Sequence, residues 1–449
     1  MKSITMRVVG LIFGLLIVMF QQSVAHAQGV LAECNSPYVV IEGPGYLVKP
    51  SGGDDTRAIQ CAFDSAVKQS VPSIRLEKGD YEISSLTVTD FKGTFSGLSS
   101  KTTSLTVENY TFDCTIERAR PIAFYGGDAI LKNMSISVED PCFEGYDFTA
   151  LSFMQKSCDE RTHFATVDRI VLSSSGPREG NSYGVVFVGT HDLIEREALL
   201  DLPNSTCELD GRGPTGKFTL NRSDINGFNV AVITSAWGAS QVDISFNELS
   251  GGSGILVTNA NQSTTIRDNK ISFVQRDFLP DWYDPEERYV EAGVAILSQD
   301  LAWVPSRNRT VVHNNRIEQG ALTSLENGDL VGIFIWDEAA VNHSLVVTDN
   351  IINTEDLTEI EALSWGLVLS NISNPLVNKN FFRGSGYIGA LVTGTWQSPK
   401  KGAFTANTFP GAFETLIDVL VTCEVEGLIV AGTAFVLDLC ENNYVLRDY

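Results

Sequence analysis

Six stretches decide how this chain reads: DISFNELS (243–250), TIRDNKIS (265–272), VVHNNRIE (311–318), VVTDNIIN (346–353), LVNKNFFR (376–383) and AFTANTFP (403–410). They align on Asn247, Asn269, Asn315, Asn350, Asn380 and Asn407, with an apolar residue three positions before each Asn and another two positions after it. Between them recurs a Gly followed by a short aliphatic run: GILVT from Gly254, GVAIL from Gly293, GIFIW from Gly332, GLVLS from Gly366 and GALVT from Gly389. The Asn-to-Asn intervals are 22, 46, 35, 30 and 27 residues, so the order of elements is kept while one connection changes length. A solenoid behaves this way, because each unit buries its apolar side only by stacking on its neighbours. Strands stacked at about 4.8 Å per coil pair above and below. An Asn repeated at one turn then meets its own kind on each side, and its amide can hydrogen-bond along the stack as an internal ladder.

These repeats resemble those of the right-handed parallel β-helices of the pectate-lyase-like superfamily. The stretch GGDDTRAIQCAFDSAVKQS (52–70) is similar to that superfamily's opening helix, with Asp54, Asp55 or Thr56 as N-cap and Ala58, Ile59, Ala62, Phe63, Ala66 and Val67 on one face. SIRLEKGDYEISSLTV (73–88) is similar to its first strands. The expected fold is all-β: one right-handed parallel β-helix within residues 28–449, running over about 45–435. An N-terminal cap at about 45–70 closes its open end, and the repeats are clearest at 220–435. The resemblance is specific for fold and unspecific for activity, since such proteins include lyases, hydrolases, epimerases and non-catalytic binders.

Working outward, 43% hydrophobic and 19% charged residues with only 15 Pro describe a folded chain and exclude a disordered or collagen-like one. Residues 1–27 read as a secretory signal: Lys2 and Arg7, an apolar run from Val8 to Phe20, then Ala25-His26-Ala27 as a cleavage site. That run is too short to span a bilayer, so export without a transmembrane anchor is expected, to the extracellular space or to a periplasm. Removing the segment takes away two basic residues and no acid, moving the net charge from −23 to −25. Such a surface repels nucleic acid and anionic membranes. Eight Cys in an exported chain, without any C-x-x-C pair, read as disulfides; Cys34–Cys61 and Cys423–Cys440 are the local pairings offered. Asn-x-Ser/Thr sequons at Asn109, Asn133, Asn204, Asn221, Asn261, Asn308, Asn342 and Asn371 would carry glycans in a host with that machinery.

The resemblance implies a site on the outward face of the Gly-bearing strands. Read two residues after the Gly position, that face presents Val186, Val232, Leu256, Ala295, Phe334, Val368, Leu391 and Leu420. The next column reads Val188, Thr234, Thr258, Leu297, Trp336, Ser370, Thr393 and Thr422, again without an acid, base or nucleophile. The Asn-Thr-Asp, Gly-His-Gly and Arg-Ile-Lys motifs of galacturonan hydrolases are missing, as is the Asp-Pro-His-Asp of mannuronan epimerases.

Polar and aromatic residues cluster just beyond these strands. Trp237, Trp303, Trp336 and Trp396, with His191 and Asp192, form the expected substrate platform, because Trp faces stack on sugar C–H bonds while carboxylates bond hydroxyls. Asp300, Asp337 and Glu338 are the catalytic candidates; Asp300 and Asp337 fall in consecutive coils, and a carboxylate pair is the minimum for glycoside hydrolysis. A basic stripe of Arg267, Lys270, His313 and Arg316 beside the Asn column is the lyase-like alternative, supplying proton abstraction and carboxylate neutralisation. No cofactor is required, and Ca²⁺ is the one ion considered, at the acidic loop of about 273–292 with Asp277, Asp281, Asp284, Glu286 and Glu287. Two function classes stay open: a polysaccharide-engaging protein, acting as lyase, hydrolase or epimerase if it is an enzyme, and a non-catalytic adhesive β-helix.

Overall fold

The computed structural model describes residues 34–108, 119–138, 148–156, 162–175, 182–188, 215–235, 241–258, 263–274, 289–298, 309–320, 328–337, 344–355, 363–372, 374–394, 402–421 and 428–431. One coil shows how the chain winds. Ser263–Arg267 lies in a first sheet, a tight turn at Asp268 and Asn269 leads to Lys270–Phe273 in a second, and Tyr289–Ser298 lies in a third. Arg309–His313 then returns to the first sheet and pairs in parallel with Ser263–Arg267. The chain is therefore a three-sided parallel β-helix, as the repeats predict. Its first sheet extends from Gly45–Val48 to Leu428–Ala431. Among the described strands, one pairing departs from parallel, the hairpin of Val39–Glu42 with Gly45–Val48.

The turn between first and second sheets is built the same way in successive coils. The residue before each ladder position has positive φ: Arg222 (50°), Phe246 (60°), Asp268 (57°), Asn314 (51°), Asp349 (57°), Lys379 (56°) and Ala406 (54°). One residue in the left-handed region turns the chain sharply and aims the next side chain inward. There the ladder forms as expected. Asn269 donates its backbone N–H and one Nδ2–H to Asn315 Oδ1 at 3.1 and 2.9 Å, and its other amide proton to the Ile244 carbonyl at 2.9 Å. The pattern repeats through Asn247, Asn315, Asn350 and Asn380 and ends on Asn407. The amides of Asn269, Asn315, Asn350 and Asn380 thus satisfy both donors and both lone pairs while 0–2% exposed. Upstream the column changes character, through Ser223, whose N–H donates to Asn247 Oδ1 at 2.9 Å, to Ile170 and Met134.

The repeated glycines sit inside strands rather than opening them, a correction to the sequence reading. Gly254 lies within Glu248–Thr258 and Gly293 within Tyr289–Ser298. They mark the bend into the third sheet, where the next coil leaves no room for a side chain: a Cβ on Gly293, Gly332 or Gly366 would stand 2.8, 2.5 or 2.3 Å from its carbonyl oxygen. The expected loop of 273–292 is likewise shorter, since Phe273 ends one strand and Tyr289–Ser298 is another.

Helix α1, Thr56–Gln69, closes the N-terminal end with Ala58, Ile59, Ala62, Phe63 and Ala66 buried, while Val67 is only partly so. Phe63 is the plug: its ring meets Phe91, Phe95 and Phe124 at centroid distances of 5.1, 4.9 and 5.7 Å. Asp55 occupies the N-cap position, yet the local bond comes from Asp54, whose Oδ1 accepts the Thr56 N–H at 2.8 Å. Cys61 of this helix is joined to Cys34 in the first of the expected disulfides. Cys423 and Cys440 lie outside the described residues.

Candidate functional site

Strand register fixes the outward face of the third sheet. One column runs Ser152, Val186, Ile233, Leu256, Ala295, Phe334, Val368, Leu391 and Asp418. The next runs Tyr125, Met154, Val188, Ser235, Thr258, Leu297, Trp336, Ser370, Thr393 and Leu420. Two rungs therefore differ from the sequence-derived columns: Ile233 and Ser235 replace Val232 and Thr234, and Asp418 and Leu420 replace Leu420 and Thr422. The cause is local. At those rungs the glycine column is occupied by Ala231 and Leu416, whose carbonyls face Gly184 and Gly389, so no Gly marks the frame.

This face carries its own apolar layer outside the central core. Met154, Val186, Val188, Val230 and Ile233 form one buried cluster, and Ala292, Val331, Val368, Ile388 and Leu391 a second. Beside the second stand the partly buried rings of Phe334, Trp365 and Tyr387, the last two in an edge-to-face contact at 5.4 Å. Trp336 is also only partly buried, and its column neighbours Ser370 and Thr393 are joined by a hydroxyl bond at 3.0 Å. The arrangement offers aromatic faces and hydroxyls, the chemistry of stacking on a sugar and bonding its hydroxyls.

The acid–base candidates are disposed differently from the sequence expectation. Trp336 lies in strand Gly328–Asp337 as expected, but Asp337 belongs to the same strand rather than to a following turn, so strand alternation sends the two to opposite sides. Asp337 is 2% exposed and pairs in register with Ser298. Asp300, Glu338, His191, Asp192, Trp237, Trp303 and Trp396 lie outside the described residues. Sequence reasoning passed over Glu291, which it placed in a loop. This carboxylate is 1% exposed and accepts a hydrogen bond from the Ser253 hydroxyl. Its signal was its place two residues before a repeated Gly, which makes it a strand residue.

The basic stripe is brought together along the Asn turn, with every member matched to an acid. Arg267 pairs with Asp268 at 3.1 Å and lies over the Phe246 ring at 4.9 Å. Lys270 pairs with Glu248 at 2.5 Å, Arg316 with Glu318 at 2.5 Å, and His313 Nδ1 approaches Asp349 at 3.5 Å. The hydrogen bond to Glu248 holds the Lys270 ammonium above its ordinary range. Charges so matched on an exposed sheet contribute little to stability and leave no net positive track. Among the described residues no three His, Cys, Asp or Glu side chains are grouped to hold a metal ion, and the acidic loop residues considered for Ca²⁺ fall outside them. Among the described residues no helix is long and apolar enough to cross a membrane.

The sequence matches no protein-family model and no curated protein. Solved structures of similar shape exist at low identity. The Dettilon tailspike protein is 13% identical with a TM-score of 0.41, covering 86% of this chain and 68% of its own. The A-module of the Azotobacter vinelandii mannuronan C-5 epimerase AlgE4 is 12% identical with a TM-score of 0.40, covering 85% and 96%. PfbA, a surface adhesin of Streptococcus pneumoniae, is 12% identical with a TM-score of 0.39, covering 83% and 90%.

Proposed function

We propose that the protein is an exported β-helix that holds an extracellular polysaccharide along the outward face of its third sheet. The observation that carries this reading is the partly exposed group of Phe334, Trp336, Trp365 and Tyr387 on one rigid face, next to the hydroxyls of Ser370 and Thr393. A repeating polymer suits a repeating surface, because each rung presents side chains at about the same 4.8 Å step. Export accords with the Cys34–Cys61 disulfide, since such bonds persist in oxidising compartments. From Ser152 to Leu391 and from Tyr125 to Thr393 the two columns hold uncharged residues, which favours binding over acid–base chemistry.

The test is a panel of neutral and acidic polysaccharides, with binding measured beside reducing ends and the ultraviolet absorbance of unsaturated products. Trp336→Ala should weaken binding by about 1–3 kcal/mol if the ring is a stacking anchor, while Arg316→Ala, already matched by Glu318, should not change it. Affinity untouched by Trp336→Ala but lost in Arg316→Ala and at high salt would reject the face in favour of the basic stripe. Product formation that stops in Asp337→Asn or Glu291→Gln would make the protein an enzyme rather than an adhesive binder.

A further inference from the structure

A second site stands on a different edge of the prism, at the turn between the first and second sheets. In most coils that turn is a single left-handed residue followed by the ladder position. In an early coil it is the longer segment Gly97–Thr102, pinned by the Ser99–Thr102 hydroxyl pair at 2.8 Å and by the Leu98 N–H on Thr103 Oγ1 at 3.1 Å. Leu98 and Ser99 of this segment border a cavity of about 530 Å³ that also meets Arg169, Arg222, Asp224 and Phe246. That volume is in the range of small-molecule sites.

Arg169 and Arg222 occupy the same turn position in consecutive coils, with φ of 56° and 50°. Both bind one carboxylate. Asp168 Oδ2 accepts from Arg169 Nε at 3.0 Å with Nη2 at 2.9 Å, and Oδ1 accepts from Arg222 Nε at 3.2 Å with Nη2 at 3.1 Å. The Asp168 side chain is 12% exposed, whereas the two Arg side chains are 52% and 53% exposed. One guanidinium is enough to neutralise one carboxylate, so Asp168 leaves the charge of the second unbalanced, with Asp224 as the nearby acid that offsets it. Sharing Nε and one Nη with Asp168 locks each guanidinium plane and leaves Nη1 of both directed elsewhere. Two pre-set guanidinium forks on adjacent rungs suit the two or three oxygens of an oxyanion. Of the acids at the cavity, Glu248 is paired with Lys270 at 2.5 Å, while Asp224 accepts a hydrogen bond from the Asn226 amide at 3.1 Å and keeps its charge, so recognition of an oxyanion rests on the guanidinium geometry rather than on a net positive field. Phe246 and Leu98, 50% and 49% exposed, supply apolar surface for the body of a ligand.

We infer that this cavity binds a small ring ligand carrying an oxyanion, such as a hexose bearing a carboxylate, sulfate or phosphate. The oxyanion bridges Arg169 and Arg222, and the ring lies against Phe246. The site extends the saccharide reading but uses another face and other residues, so either can fail alone.

The test is calorimetric titration of the mature protein with glucuronate, glucose 6-sulfate and glucose 6-phosphate, against glucose and inorganic sulfate at fixed ionic strength. The charged hexoses should bind at least about tenfold tighter than glucose, and Arg222→Gln should remove about tenfold of that affinity. The preferred member of the three identifies the oxyanion. Phe246→Ala, which leaves both pairs to Asp168 in place, should also weaken the charged hexoses, and it keeps the test decisive if Arg222→Gln does not fold. Trp336→Ala should leave this binding unchanged while weakening that of the polysaccharide. Glucose binding as tightly as its charged derivatives, inorganic sulfate matching them, or an unchanged affinity in Arg222→Gln and Phe246→Ala would each overturn the site.

Discussion

Replacing Asn315 by Ala should be among the most damaging single changes in the chain. Its amide takes part in four hydrogen bonds: Nδ2 donates to Asn350 Oδ1 at 3.0 Å and to the Ile266 carbonyl at 2.9 Å, and Oδ1 accepts Asn269 N–H at 3.1 Å and Asn269 Nδ2–H at 2.9 Å. Asn350 Oδ1 keeps one partner after truncation, because the residue 315 N–H still reaches it at 2.9 Å. Three groups are orphaned: the Asn269 N–H, one Asn269 amide proton and the Ile266 carbonyl. With the site 1% exposed, water does not replace the amide, and each orphan costs about 1–3 kcal/mol. The expected loss is at least about 3 kcal/mol, with 9 as the ceiling if nothing relaxes. Asn407→Ala strands the same three kinds of group, the Asn380 N–H, one Asn380 amide proton and the Val377 carbonyl, but at a partly buried end that water reaches, so its cost should be smaller than that of Asn315→Ala. Urea unfolding of the two variants beside the parent, with slopes compared because a solenoid can lose coils separately, measures both. If Asn315→Ala costs less than about 1 kcal/mol, the ladder is not what holds the turns.

Three further outcomes can be checked alongside. Gly332→Ala should cost about 1–3 kcal/mol in the same unfolding assay, since its Cβ would meet the Gly366 carbonyl oxygen and Ile352 Cγ2, each at 2.5 Å, whereas Gly53→Ala meets nothing within 4 Å and should be neutral. Replacing Cys34 and Cys61 by Ser opens a closure of 27 residues and should cost about 3.5 kcal/mol, seen first as loss of protection in amide exchange of helix α1. Hydrogen bonds from the Thr56 side chain and backbone N–H hold the Asp54 carboxyl below its ordinary value. Its contribution is therefore present above the unfolded value of about 4 and lost as pH falls through the lower folded one, so the stability gap between the parent and Asp54→Asn should close in acid.

The later coils are legible because three physical constraints repeat at separate positions. The ladder admits Asn, whose amide alone matches two donors and two acceptors on adjacent coils. The bend admits Gly, because a Cβ at Gly293, Gly332 or Gly366 would stand only 2.8, 2.5 or 2.3 Å from a carbonyl oxygen of the neighbouring coil. The strand ends flanking the turn admit apolar residues such as Ile266 and Ile271, both fully buried. In the earlier coils the same turn position holds Met134 and Ile170, and Gly97–Thr102 replaces the short turn. An inward apolar side chain there satisfies the core without any amide, so the sequence carries no marker although the geometry persists.

The same logic explains the slips at the candidate face. A column counted from glycines holds only where close approach enforces Gly, and Ala231 and Leu416 occupy that column at two rungs. Asp337 was read as a turn residue beyond the strand, but it is the last residue of that strand, adjacent residues of one strand face opposite ways, and its 2% exposure puts it under the sheet. The arginine pair escaped sequence reasoning for a different reason. Arg169 and Arg222 are 53 residues apart and gain meaning only from sharing Asp168, a contact created by stacking one coil on the next. In a solenoid, sites of this kind run across coils rather than along the chain. Their residues are therefore found by first fixing the register at the ladder and then reading sideways, which is how the cavity beside the ladder's apolar beginning comes into view.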